Sequence, residues 1–75
     1  MTTMIEIYYK KPEDLRREEI TRQKITAYDG EITYREIDLP ESVCLTVEFP
    51  DWDRAEKATI ELRNSGEHVE GPSEY

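Results

Sequence analysis

Seventy-five residues allow one domain, and a chain this short buries only about 60% of the surface it exposes when unfolded. Lys and Arg number 10 against 18 Asp and Glu, a net charge of −8; such a field repels nucleic acid and anionic membrane and draws basic protein surfaces. Cys44 is the only cysteine and His68 the only histidine, which excludes an internal disulfide and a Cys/His zinc site.

The acid surplus is uneven. Residues 1 to 24 are close to balanced at +1, whereas residues 25 to 75 carry −9. The longest apolar runs are two or three residues, too short for a membrane span, and nothing at the start reads as a secretion signal. With one unpaired thiol, a cytoplasmic location is the expectation.

Met4 to Lys10 reads as a strand, with Ile5, Ile7 and Tyr9 alternating against Glu6, Tyr8 and Lys10. Lys11 to Glu19 reads as a short helix with Pro12 at a first helical position, or else a polar loop with one helical turn. Asp29-Gly30 lies between two alternating runs, which predicts a tight two-residue hairpin joining a strand ending at Tyr28 to one beginning at Glu31. That turn would pair Ala27 with Ile32 and Ile25 with Tyr34 on one apolar face. The alternation then slips near Glu36, the expected place for a bulge.

Val43, Leu45, Val47 and Phe49 alternate with Cys44, Thr46 and Glu48 as a further strand, which Pro50 stops. Asp51 or Asp53 caps a following helix, in which Ala55, Ala58, Thr59 and Leu62 share one side with Trp52 at its margin. Gly66 fits a left-handed helix stop. A short last strand centres on Val69, with Gly71-Pro72 ending it and Ser73 to Tyr75 as a frayed tail; residues 1 to 70 form the domain and 71 to 75 a flexible end. The expected fold is therefore α+β: a two-layer sandwich with a four- or five-stranded mixed or antiparallel sheet and one or two helices on one face. The order has a ferredoxin-like flavour, but the extra strand departs from a plain βαββαβ count.

Candidate chemistry is sparse. Asp51, Asp53 and Glu56 fall within six residues, but a calcium loop needs more oxygen ligands and a glycine where Glu56 stands, so helix capping accounts for them. His68 lacks an orienting partner and a nucleophile. Cys44 lies mid-strand in an acidic chain, a setting that disfavours the thiolate. No phosphate-cradling glycine loop is present. The expectation is a protein without catalytic, cofactor or metal sites.

What remains is a binding surface. Topology predicts that Asp29, Glu31, Asp51, Asp53 and Glu70 collect at one end of the sheet as an acidic edge. Tyr8 and Tyr28 are expected on the less apolar sheet face, where tyrosines supply contact area with a polar tip. These residues point to a protein partner with a basic surface and to no direct binding of nucleic acid or membrane. A homodimer through the sheet face is the alternative, with acidity serving solubility.

Overall fold

A computed structural model describes residues 2 to 74. The order is β1 (Thr3–Lys10), α1 (Leu15–Ala27), β2 (Glu31–Glu36), β3 (Ser42–Phe49), α2 (Trp52–Asn64) and β4 (His68–Glu74). This is the βαββαβ order, and the four strands form one sheet in the spatial order β2-β3-β1-β4. Every neighbouring pair is antiparallel. The arrangement is ferredoxin-like.

The core lies between the sheet and the two helices. Ile5 and Ile7 of β1, Val43, Leu45, Val47 and Phe49 of β3 and Val69 of β4 meet Ile25 of α1 and Ala55, Ala58 and Leu62 of α2. The inward residues of β1 and β3 are those that strict alternation selects, because each of these central strands has one face toward the helices. α2 also follows its apolar spacing, and the small Ala55 and Ala58 let it approach the sheet closely.

The largest correction concerns residues 15 to 28. The predicted strand ending at Tyr28 is the second half of a thirteen-residue helix, α1, so there is no Asp29-Gly30 hairpin and no fifth strand. Glu18, Thr21 and Ile25 are the residues α1 buries. Their spacing of three and four is helical, but two of the three are polar, so the period is hidden from a reading of apolar residues alone. Ala27 is exposed and has no strand partner. Asp14, not Pro12, sets the helix start: its side chain accepts from the Arg17 N–H at 3.0 Å.

Asp29 does take positive φ, at 61°, but just past Tyr28, the C-cap of α1, and Gly30 does not. Gly30 is needed for another reason. A Cβ there would lie 2.5 Å from Phe49 Cε1 and 2.8 Å from Ile25 Cγ2, so the chain passes from helix to strand where only a hydrogen fits.

Two smaller differences, and the choice of Asp51 over Asp53 as the cap of α2, matter for the surface. The register of β2 shifts between Ile32 and Tyr34 rather than near Glu36. This bulge turns Tyr34 onto the open face and Arg35 toward α1, reversing the expected burial of Tyr34. Asp51 caps α2 by accepting from the Arg54 N–H at 2.9 Å, while Asp53 pairs with Lys57 at 3.0 Å. Finally, β4 continues through Gly71 and Pro72 to Glu74 rather than stopping before them. Tyr75, placed in the expected tail, lies outside the described residues.

Candidate binding surface

The helices cover one face of the sheet and leave the other open. The register orders this open face in rows. Glu31, Glu48, Met4 and Ser73 are successive neighbours across the strands; Tyr34, Thr46, Glu6 and Glu70 form the next row; Glu36, Cys44, Tyr8 and His68 form the third. Beyond them Ser42 lies opposite Lys10. The face thus carries five glutamates (Glu6, Glu31, Glu36, Glu48 and Glu70) against one lysine.

Local contacts on this face join aromatic and acidic groups. The Tyr8 hydroxyl donates to Glu6 Oε2 at 3.3 Å, and the Cys44 thiol lies 3.6 Å from the same oxygen. Hydrogen bonding with Cys44, then burial and the nearby Cys44 and Glu6 charges, push the Tyr8 phenol up to about 12. The Tyr34 hydroxyl donates to Glu36 Oε2 at 3.2 Å, and the charge on Glu36 raises the Tyr34 phenol. Tyr8 meets the His68 ring edge-on, with centroids 5.7 Å apart, and His68 Nε2 lies 3.1 Å from Glu70 Oε1. Burial raises the Cys44 thiol above its ordinary value, and Glu6 and Glu36 add to that shift. The thiolate is therefore disfavoured here.

The predicted acidic edge is brought together only in part. β2 begins, β3 ends and α2 begins at one end of the sheet, which places Asp29, Glu31, Asp51 and Asp53 there. Arg54 reaches Asp29 at 3.2 Å and Asp51 at 3.7 Å, and Lys57 reaches Asp53, so three of these carboxylates already have cations. Glu70 is elsewhere. It lies within β4, opposite Glu6, because β4 passes that row well before it reaches the acidic end.

Tyr8 is on the open face as expected, and Tyr28 is not. Tyr28 ends α1, packs half-buried against the core, and has its phenol raised by hydrogen bonding to Glu61 of α2. Tyr34 takes the position expected of Tyr28. Glu6 and Glu48 belong to the surface too. Their alternation in β1 and β3 already put them outward; what the sequence alone lacked was the adjacency of β1 and β3, which sets their rows side by side.

On the covered face, a cleft of about 360 Å³ lies between the end of β1 and the start of α1, lined by Tyr9, Asp14, Arg17, Glu18 and Glu67 among others. Two of its charged residues pair with each other: Arg17 Nε lies 2.7 Å from Glu67 Oε1. The Tyr9 hydroxyl is buried near Arg35 and Glu18, but no bond to either reaches good hydrogen-bonding geometry. Among the described residues, no group of His, Cys, Asp and Glu has the arrangement of a metal site. No described helix is long and apolar enough to cross a membrane. No protein-family model matches the chain, and no curated protein is significantly similar to it.

Proposed function

We propose that this protein is a non-enzymatic, acidic protein-binding module that engages a basic partner, in its sharpest form as an inhibitor that covers a nucleic-acid-binding groove. One observation carries the reading: most carboxylates on the helix layer have a cation within the molecule, Asp14, Glu56 and Glu61 excepted, whereas those on the open sheet face have no lysine or arginine partner. Glu13 and Glu18 share Arg35, Glu67 holds Arg17, Glu19 holds Arg22, Asp29 and Asp51 share Arg54, and Asp53 holds Lys57. Among the described residues, Glu6, Glu31, Glu36 and Glu48 have no ion pair, and Glu70 has only His68. A surface with five carboxylates and little internal compensation favours cations from outside.

The alternative occupant of the open face is a second copy. A two-fold dimer presents the same patch on both sides, so it would set the glutamate-bearing face against itself. That repulsion favours the heterologous partner over the homodimer. The proposed setting is the cytoplasm, where a lone thiol stays reduced.

The test begins with capture from native lysate at low ionic strength, followed by affinity measurement on the purified partner. The expected partner is basic, competes with its own nucleic acid for the module, and loses affinity steeply as salt rises. An affinity that stays constant from 0.05 to 0.5 M salt, roughly a threefold change in screening length, overturns the charge-driven reading.

A further inference from the structure

Four of these open-face carboxylates are aligned rather than scattered. Glu31 is directly opposite Glu48, and Glu6 is directly opposite Glu70. Glu48 is itself opposite Met4, two residues from Glu6 on the same face of β1. Glu31, Glu48, Glu6 and Glu70 therefore come one from each strand, in the order in which the strands lie side by side. They form a continuous diagonal across the open face, from one sheet edge to the other.

The spacing of this line follows from sheet geometry. Direct cross-strand neighbours are ~5 Å apart and diagonal ones ~7–8 Å. Measured across the strands, the line has one carboxylate per ~4.8 Å. A nucleic-acid strand has one phosphate per ~3.4 Å of duplex axis. Two rings flank the line on the same side: Tyr34, in the row next to Glu31, and Tyr8, which follows Glu6 on β1. Like charges directly opposite one another weaken a ladder, and this face has two such pairs in succession without a lysine or arginine between them.

We infer that this sheet face docks on the arginine- and lysine-lined channel with which a protein partner holds a single nucleic-acid strand. The inference rests on the basic-partner reading above and specifies the feature of the partner that is met. Single-strand channels combine a cationic track for the backbone with surfaces that stack on bases. The line of glutamates meets the first requirement, and the Tyr8 and Tyr34 rings beside it meet the second, since arginine also stacks on tyrosine.

The experiment uses the full chain, ¹⁵N-labelled, with octa-arginine as the probe at low salt. Two charge-matched variants are compared: Glu6→Gln with Glu48→Gln on the line, and Glu19→Gln with Glu56→Gln on the helices. Amide shifts should concentrate at the four glutamates, Tyr8 and Tyr34. The line variant should bind at least tenfold more weakly and the helix variant less than twofold. Labelled oligo-dT held by octa-arginine should be released by the wild type and not by the line variant at equal concentration. Replacing like-charged neighbours by amides relieves repulsion, so the line variant should melt no lower than the wild type, which separates lost binding from lost folding. Equal weakening in both variants, or shifts centred on the helix acids, overturns the line while leaving the basic-partner reading standing. Failure of octa-arginine to bind at all overturns both.

Discussion

The two helices have the same length and lie on the same face of the same sheet, yet different forces attach them. α2 is held by apolar packing: Ala55, Ala58, Thr59 and Leu62, at positions i, i+3, i+4 and i+7, are all buried. α1 buries one fully apolar side chain, Ile25, beside Thr21 and Glu18. Its remaining attachments are polar. Arg35 of β2 reaches Glu18 at 2.8 Å and Glu13 at 2.6 Å, Arg17 reaches Glu67, and Lys24 Nζ donates to Ser65 Oγ. A helix can thus be located by the spacing of its ion-pair partners as well as by an apolar stripe, but the two attachments differ in strength and in response to solvent.

The comparison predicts its largest difference at the apolar anchor. Leu62 is fully buried, and Leu62→Ala should destabilise the fold by ~2–5 kcal/mol in chemical denaturation, the range for a leucine cavity in a packed core. Truncating an exposed apolar residue of α1 such as Leu15, which is 69% accessible, should move the midpoint hardly at all. Similar losses from the two variants would show that α1 has an apolar anchor of its own. Second in size is Gly30→Ala, at the point where α1 meets β2. The added methyl would overlap Phe49 and Ile25, with an expected loss of ~1–3 kcal/mol. An unchanged melting midpoint would mean that the Phe49 ring can move aside.

The polar anchor should contribute less. Arg35→Ala leaves the Glu18 carboxylate, 6% exposed, without its cation, and solvent reaching the arginine limits the expected loss to ~1–2 kcal/mol. Replacing both members, Arg35→Leu with Glu18→Leu, should recover most of that loss, because an apolar pair avoids the desolvation of two charges. A double variant as unstable as the single one would indicate that Arg35 acts through Glu13 or Tyr9 instead.

These attachments also set what could be read from the chain. β1, β3 and α2 were legible because burial there follows apolar residues at periods of two or 3.6. α1 was not, because Ile25 and Ala27 alternate with polar residues just as a strand would, while the helical partners Glu18 and Thr21 are polar. The register of β2 was illegible for a related reason: a one-residue bulge after Ile32 exchanges the faces of Tyr34 and Arg35, and nothing local in Thr33 marks it. The binding surface suffered from both errors. A strand in place of α1 puts Tyr28 on a sheet face, and a β2 without its bulge puts Tyr34 in the core. The alternation that hides Ile5 and Ile7 had already turned Glu6 and Tyr8 outward.

Alkaline titration gives a further contrast between the helices. Tyr9, beneath α1, has its phenol raised mainly by burial, and Tyr28, at the end of α1, mainly by hydrogen bonding to Glu61. Folding therefore favours both neutral forms relative to the ordinary value of 10.0. Their contribution to stability is complete below that pH and is lost as the pH rises through the elevated folded values. Absorbance near 295 nm should show phenols ionising late, and amide exchange in α1 should rise before that in α2. Phenols that all ionise at the ordinary value would remove the tyrosines from the attachment of α1.

The smallest expected effect is also the most specific to the contrast. Added salt acts on this protein in two opposite ways. It screens the mutual repulsion of a chain with net charge −8, which steadies the whole fold, and it screens the ion pairs that attach α1. The pairs of Arg17 and Arg35 are partly open to water, so each is worth only ~0.5–1 kcal/mol. A melting curve would report the sum, in which the two effects offset one another. Native-state amide exchange separates them, because relief of global repulsion raises protection in both helices while loss of ion pairing lowers it in α1 alone. Between 0.05 and 0.5 M salt, protection of the amides around Thr21 and Ile25 should fall by about two- to fivefold relative to those around Ala58 and Leu62, the equivalent of ~0.5–1 kcal/mol. The Arg35→Leu and Glu18→Leu double variant should lose much of this differential, since its contact is no longer ionic. A constant ratio between the helices in the wild type would show that Ile25 and Thr21 are enough to hold α1, and that its ion pairs choose its position on the sheet without contributing to its attachment.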